Sequence, residues 1–236
     1  MKTAGWRSVW IYGCAIALCQ PLAACGSGEA PPPAPKGEVK ADAPALPDDA
    51  PLIIAFGDSL YAGYQLGPKE GLAPQLQAQL LADGVRARVQ NAGVSGDTTA
   101  AGRQRLSFVL DHAKAKPALV LLGLGGNDML RGIGPDQTRA NLDAMLAELR
   151  KRDIPVLLTG MVAAPNLGAD YAKAFDPIYP ELAAKYDASL YPFILDNVVG
   201  KPELMLGDHI HPNAKGVKMI VGGLAPLVEG ALPDSE

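Results

Sequence analysis

The sequence predicts an α/β fold, a three-layer α/β/α sandwich around a parallel five-stranded sheet. Short apolar runs bounded by Gly or Pro are typical of strands buried on both faces of a parallel sheet. Longer amphipathic stretches separate these runs, and strands that alternate with helices form parallel sheets covered on both faces. In such folds, ligands bind at the carboxyl ends of the strands.

Five apolar runs predict the strands, at 52–56, 85–93, 118–125, 154–162 and 188–195. The second run alternates in polarity, which indicates a strand nearer the edge of the sheet. Amphipathic stretches predict the helices, at 70–84, 97–114, 136–153, 169–187 and 213–232. Pro177 and Pro180 are expected to break or kink the helix at 169–187, because proline lacks an N–H group and clashes within a helix.

The first 51 residues predict two segments outside the folded domain at 52–230. Residues 1–24 have a basic start and an apolar run, as in a secretory signal peptide. The following LAAC, at 22–25, resembles a bacterial lipobox, which predicts that Cys25 is lipidated. The alternative is an ordinary secreted protein with a Cys near its cleavage site. Residues 25–51 are rich in Pro, Ala and Gly and predict an unfolded tether.

These features predict attachment to a membrane through Cys25. We expect the periplasmic face of the cell envelope, and the outer membrane because Gly26, rather than Asp, follows the Cys. All three Cys lie within residues 1–25, so the domain has neither a disulfide framework nor a cysteine nucleophile. The chain has 21 basic and 25 acidic residues and no basic block, which argues against a nucleic-acid partner. We expect a monomer.

Polar and glycine-rich segments follow three of the predicted strands and precede the last helix. They read GDSLYAGY (57–64), NAGVSGDTT (91–99), GLGGNDMLRG (123–132) and GDHIHPN (207–213). The carboxyl ends of parallel strands meet at one edge of a sheet, so these segments are expected to lie together. Four such segments at one edge are hard to explain by turn chemistry alone. They predict an active site there.

The residue types suit acyl transfer. A Ser nucleophile needs an imidazole base, and that base needs a carboxylate to hold its tautomer. Backbone N–H groups and an Asn amide suit a developing oxyanion, and Gly96 allows close approach of the backbone. Two simpler readings stand beside this one. Ser59 could merely cap a helix, and Asp208, His209 and His211 could bind a metal.

The four segments together resemble the sequence blocks of the GDSL or SGNH hydrolase superfamily, most closely its bacterial thioesterase/lysophospholipase/arylesterase branch. The resemblance extends over 52–228. It implies a flavodoxin-like sheet with strand order 2-1-3-4-5. It implies Ser59 as nucleophile, His211 as base and Asp208 as the orienting carboxylate. It also implies an oxyanion hole formed by the N–H groups of Ser59 and Gly96 and the amide of Asn127, with no metal or cofactor.

The resemblance implies a serine esterase acting on carboxylic esters, with aryl or short to medium acyl groups. Acyl thioesters and lysophospholipids are further substrates of the branch. The alternatives are a carbohydrate O-deacetylase and a lipid-anchored binding protein without turnover. Relatives bind the acyl chain with the loop that corresponds to 160–171, which suggests Pro165, Asn166 and Leu167 as substrate-binding residues. The alternative is that this segment is a plain connection.

Four further polar residues have predicted structural roles. Asp58 and Asp128 flank the proposed catalytic positions and are expected to cap or brace their loops. Asp97 is expected to cap a loop or helix. His112 is expected at the surface, near the C-terminus of a helix, where a cation is favoured.

Overall fold

The computed structural model describes residues 46, 47 and 49–233. The predicted signal peptide (1–24), Cys25 and all but the last residues of the predicted tether (25–51) lie outside the described residues. Among the residues that are described, no helix is both long enough and apolar enough to cross a membrane.

Five parallel strands form one sheet, which confirms the predicted fold class. They are β1 (Leu52–Gly57), β2 (Arg88–Gly93), β3 (Leu119–Gly123), β4 (Val156–Thr159) and β5 (Ser189–Tyr191). Their order is β2-β1-β3-β4-β5, as the resemblance implies. The central strands β1 and β3 are buried along their whole length, whereas β2 lies at an edge. The continuous apolar runs at 52–56 and 118–125 are therefore central strands, and the alternating run at 85–93 is an edge strand.

Eight α-helices flank and connect the strands. They are α1 (Ser59–Ala62), α2 (Leu72–Ala82), α3 (Thr99–Asp111), α4 (Gly126–Leu130), α5 (Pro135–Lys151), α6 (Ala169–Phe175), α7 (Ile178–Tyr186) and α8 (Ala214–Ala231), within the described range. Two 3-10 helices lie at Pro165–Leu167 and Pro202–Leu204.

The core consists of two apolar layers, one on each face of the sheet. Ile54, Phe56 and Leu122 face the layer formed by α3, α5 and α7. Ile53 and Leu121 face the opposite layer, formed by α2 and α8. Neighbouring side chains of a strand point to opposite faces, so each buried strand contributes side chains to both layers. Burial of each such side chain contributes roughly 1.5–3 kcal/mol, and this packing fixes the strand ends that carry the site.

Prolines set the limits of two predicted elements. The predicted helix at 169–187 is two helices, and Pro177 stands at the N-terminus of the second. Pro180 does not break or kink α7, contrary to the prediction, because it lies in the first turn, where an N–H group is not needed. The strand predicted at 188–195 ends at Tyr191, because Pro192 cannot donate to the sheet.

Candidate active site

The first polar segment follows β1 and forms the short helix α1. Asp58 is its N-cap, and one carboxylate oxygen accepts a hydrogen bond from the Leu60 N–H (3.2 Å). Ser59 is therefore the first helical residue and not the cap, so the simpler reading of Ser59 is wrong. Asp58 has the structural role predicted for it. Gly63 ends the helix in a left-handed conformation (φ 76°), which suits a residue without a Cβ atom.

A chain of hydrogen bonds joins this helix to the last loop of the domain. His211 Nε2 lies 2.8 Å from Ser59 Oγ. His211 Nδ1 lies 2.6 Å from Asp208 Oδ2. Ser59 and His211 are 152 positions apart in the sequence and come from opposite ends of the domain. These distances are compatible with the roles that the resemblance implies, a nucleophile, its base and the carboxylate that orients the base.

Asp208 is held by the backbone of its own loop. Its second carboxylate oxygen accepts hydrogen bonds from the N–H groups of Ile210 (2.9 Å) and His211 (3.0 Å). Desolvation raises the pKa of Asp208, but the backbone and side-chain hydrogen bonds of His211 and the Ile210 N–H outweigh it and lower the pKa to about 2. The carboxylate is thus charged at neutral pH, as required of a partner for an imidazolium ion.

His209 lies outside this hydrogen-bond chain. Its backbone is left-handed (φ 58°), and within the described range its ring makes no hydrogen bond. The two ring nitrogens of His211 are engaged by Ser59 and Asp208, which leaves neither free to bind a metal shared with His209. This arrangement argues against the metal-binding reading of the segment.

Asn127 belongs to α4, immediately after β3. Gly125 precedes this helix at φ 117°, and a Cβ atom there would lie 2.1 Å from the Tyr179 hydroxyl. The buried carboxylate of Asp128 accepts hydrogen bonds from the backbone N–H of Thr99 (2.8 Å) and the hydroxyl of Thr138 (3.3 Å). Asp128 thereby ties α4 to α3 and α5, which is the bracing role predicted for it, and fixes the position of Asn127.

Two arginines anchor the segment that contains Gly96 (91–99), called the Gly96 segment below. Gly96 has a left-handed backbone (φ 86°), and its carbonyl accepts a hydrogen bond from Arg131 (2.7 Å). Asp97 forms an ion pair with Arg105 (2.6 Å), and its carbonyl accepts a hydrogen bond from the Asn127 amide (3.0 Å). Arg105 also donates to the carbonyls of residues 57 and 92, at the ends of β1 and β2. The ends of β1 and β2 and the helix that follows β3 are thus joined around the site.

The prediction that Asp97 caps a loop or helix is wrong. Thr98 is the N-cap of α3, and its hydroxyl accepts a hydrogen bond from the Ala101 N–H (3.3 Å). Asp97 precedes this cap, and its carboxylate instead pairs with Arg105 in the second turn of α3. His112 lies at the C-cap of α3 and is exposed, as predicted.

A cavity of about 280 Å³ opens beside Ser59, His211 and Asn127. Most of its lining is apolar, including Leu124, Met129, Met161, Ile194, Leu195 and Val199. Met161 and Ala164 belong to the loop predicted to bind the acyl chain. Pro165, Asn166 and Leu167 form a 3-10 helix next to that part of the loop and are not among the lining residues. Leu167 packs against the core instead, so a substrate-binding role for these three residues stays a prediction.

Residues 55–219 match the GDSL-like lipase/acylhydrolase family. The chain belongs to this family. As a member, it is a serine hydrolase that acts on ester bonds, which confirms the predicted enzyme class.

Three proteins of known name or structure are similar to this chain over more than three quarters of its length. Esterase TesA of Pseudomonas aeruginosa is 42% identical over 183 residues, covering 78% of this chain and 90% of that protein. Thioesterase 1/protease 1/lysophospholipase L1 of Escherichia coli K12 is 37% identical over 180 residues, 76% of this chain and 84% of that protein. The crystal structure of AlinE4, an SGNH-hydrolase family esterase, is 52% identical with a TM-score of 0.67, covering 79% of this chain and 98% of that one.

One carboxyl group in this GDSL-like site has an unusual ionisation. Burial raises the pKa of Asp58 to about 6, although the Leu60 N–H and the charge of His211 both lower it. Asp58 lines the same cavity as Ser59. A half-buried carboxylate beside Ser59 therefore changes its charge within the working pH range of many enzymes.

Several residues of the site escaped the sequence analysis. Arg105 and Arg131 brace the Gly96 segment, but an Arg on a helix surface has no local signal that distinguishes it from a solvated side chain. Tyr64 packs against the His211 ring, with 4.5 Å between centroids. Tyr64 is part of the GDSLYAGY segment, so its position five residues after Ser59 was a signal that could have been followed.

Proposed function

We propose that this enzyme hydrolyses carboxylic esters with short to medium acyl groups, through Ser59 as nucleophile, His211 as base and Asp208 as orienting carboxylate. One observation carries the proposal. The hydrogen-bond chain from Ser59 Oγ through both nitrogens of His211 to Asp208 stands at an apolar cavity large enough for such an acyl group.

In the first step, Ser59 Oγ attacks the acyl carbon and its proton passes to His211 Nε2. The imidazolium ion that results is stabilised by Asp208, which donates no proton and accepts the Nδ1–H hydrogen bond. Collapse of the tetrahedral intermediate breaks the ester bond. His211 returns the proton to the departing alcohol, which leaves Ser59 acylated.

The oxyanion of the tetrahedral intermediate requires fixed donors. The proposed donors are the N–H groups of Ser59 and Gly96 and the side-chain amide of Asn127. The first is at the start of α1, and the braces described above hold the other two. A single preorganised donor lowers such a barrier by about 3 kcal/mol.

In the second step, a water molecule replaces the alcohol. His211 takes a proton from the water as it attacks the acyl carbon, and the same donors hold the second oxyanion. Breakdown of this intermediate releases the carboxylic acid and returns the proton to Ser59 Oγ. The enzyme therefore needs no cofactor in either half of the reaction.

The lining of the cavity supports an acyl chain rather than a sugar as the buried part of the substrate. Most of its wall residues are aliphatic or thioether side chains, which offer no hydrogen-bond partners for the hydroxyl groups of a carbohydrate. The relatives support ester substrates, and the Escherichia coli relative extends the proposal to acyl thioesters and lysophospholipids. A carbohydrate O-deacetylase is accordingly the second candidate.

Covalent labelling tests the nucleophile. A fluorophosphonate probe is expected to label the folded wild-type enzyme and Ser107→Ala, a control at an exposed serine of α3. Ser59→Ala is expected to take up no label and to lose ester hydrolysis at least 10³-fold. Folded wild-type protein without label, or labelled Ser59→Ala, would overturn the assignment and favour a binding protein without turnover.

A substrate panel tests the specificity. It contains p-nitrophenyl esters from acetate to palmitate, an acyl-CoA, a lysophospholipid and an acetylated sugar. The highest kcat/KM is expected for acyl groups of short or medium length. A maximum at the acetylated sugar would favour the second candidate, whereas a maximum at palmitate would require a longer binding surface than the cavity provides.

We also propose that Cys25 is lipidated and anchors the enzyme to the periplasmic face of the outer membrane. The lipobox-like LAAC at 22–25 and the tether composition support this proposal. In cells fed an alkyne fatty acid, the wild type and Cys14→Ser are expected to incorporate the label. Cys25→Ser is expected to remain unlabelled, and a labelled Cys25→Ser would contradict the proposal.

A further inference from the structure

The ring face of His211 is covered by a residue outside the proposed triad. Both edge nitrogens are engaged, by Ser59 and Asp208. The ring of Tyr64 lies against the face, with 4.5 Å between centroids and an angle of 40° between planes. The edge contacts leave the imidazole free to tilt about the line that joins them, and Tyr64 opposes that tilt.

The turn that carries Tyr64 is attached to the nucleophile. The Tyr64 N–H donates to the carbonyl of Ser59 (3.0 Å). Gly63 and Gln65, on either side, are both left-handed, with φ values of 76° and 57°. This conformation is unfavourable for Gln65, and strained residues concentrate at functional sites. Gln65 also donates from its amide to the Tyr64 hydroxyl (3.1 Å), so the ring is held from its outer end.

Core packing does not account for the position of Tyr64. The residue is 38% exposed and belongs to neither apolar layer of the core. It is not among the residues that line the cavity. Its ring contact in the described structure is with His211.

We propose that Tyr64 is a positioning residue, which holds the His211 imidazole between Ser59 and Asp208 and stabilises its protonated form. The negative face of an aromatic ring attracts a cation, and aromatic pairs gain further from their contact. The imidazolium ion exists only while the proton is on Nε2, so the contact favours the transition states of both steps. This inference rests on the proposed role of His211 as base.

Kinetics of two Tyr64 variants test the inference. Tyr64→Leu is expected to lower kcat roughly three- to tenfold with KM within about twofold of wild type. Tyr64→Phe keeps the ring and is expected to restore kcat to within about twofold. The rate at which a fluorophosphonate labels Ser59 is expected to fall in parallel with kcat.

A matched control exists at the C-terminus of α3, where Phe108 packs on His112 at 4.1 Å between centroids. Phe108→Leu removes a similar ring contact and is expected to leave kcat unchanged. Unchanged kcat in Tyr64→Leu would overturn the inference, as would an equal loss in Tyr64→Phe. His211→Ala distinguishes a failure of the proposed base from a failure of the inference about Tyr64. If His211→Ala retains turnover, the assignment of His211 as base is wrong. If His211→Ala is inactive while Tyr64→Leu is fully active, only the role of Tyr64 is wrong.

Discussion

His211 Nδ1 lies 2.6 Å from Asp208 Oδ2, although only two residues stand between these partners in the chain. The same carboxylate accepts hydrogen bonds from the N–H groups of Ile210 and His211, so the proposed base and its proposed orienting group form one compact turn. Such a turn positions the imidazole as a unit. The turn also places the other ring nitrogen, His211 Nε2, 2.8 Å from Ser59 Oγ at the cavity.

The two histidines of this turn are expected to differ sharply in function. His211→Ala removes the proposed base and should lower kcat at least 10³-fold. His209→Ala removes a ring that is outside the hydrogen-bond chain and should keep kcat within about threefold. Steady-state hydrolysis of a p-nitrophenyl ester measures both. Equal losses from the two variants would return the metal-binding reading to consideration.

Asn127→Ala tests the proposed oxyanion hole. Loss of one donor is expected to lower kcat by about 10²–10³ and to leave KM nearly unchanged, because the donor acts on a charge that develops only in the transition state. Asn141→Ala is a suitable control. The Asn141 amide donates a hydrogen bond to the Thr99 hydroxyl between α5 and α3, and Asn141 does not line the cavity. An increase in KM with normal kcat would show instead that Asn127 binds the ground state.

Asp58→Asn is expected to stabilise the protein in a pH-dependent way. The folded-state pKa of about 6 exceeds the ordinary value of 3.8, so the favourable contribution of the protonated carboxyl is complete below 3.8 and is lost as pH rises through 6. Asn stays neutral, and its amide oxygen can still cap α1. The variant should gain about 1–3 kcal/mol relative to wild type at pH 8, and less at pH 4.5.

Urea unfolding at the two pH values measures this gain. The exposed Asp153 has a left-handed backbone that Asn tolerates equally, so Asp153→Asn serves as the control and should show little difference between pH 4.5 and 8. A gain for Asp58→Asn that is the same at both pH values would mean that its buried charge is not the cause.

Gly125→Ala is expected to destabilise the fold by roughly 3 kcal/mol or more, through overpacking and backbone strain. The new Cβ atom would meet the hydroxyl of Tyr179, which donates to the Leu124 carbonyl in the core. Gly132→Ala has positive φ (66°) but open space, and should cost only about 1–2 kcal/mol.

Thermal or urea unfolding compares these variants. Tyr179→Phe removes the hydroxyl that the new methyl group meets, so the penalty of Gly125→Ala should be smaller in that background. If Gly125→Ala and Gly132→Ala lower the free energy of unfolding equally in the wild-type background, the close contact with Tyr179 does not contribute to the destabilisation.

Much of the fold could be predicted because its signals are local. The buried runs of β1 and β3 and the amphipathic pattern of α5 each extend over enough residues to show their period. The helices α1 and α4 escaped prediction because four or five residues are too few to show a helical period. Sequence blocks that frame those helices nevertheless indicated Ser59 and Asn127.

Features that depend on contacts between residues distant in the sequence could not be predicted in this way. The walls of the cavity combine Leu124 and Met161 with Ile194 and Leu195, and no local pattern relates these positions. The turn after β5 that brings Ile194 to the cavity follows from Pro192, which the apolar pattern of 188–195 concealed. The contact between Tyr64 and His211 likewise depends on the meeting of distant loops.

The direction of β1 has a practical consequence. The described chain enters the sheet at Leu52, and the strand extends about 20 Å before it delivers Ser59 to the cavity. The last helix starts beside His211 and runs about 27 Å to Ala231. Both ends of the domain therefore lie far from the cavity mouth. A support, reporter or carrier protein fused at either end would leave the mouth open, which makes this domain well suited to immobilised biocatalysis.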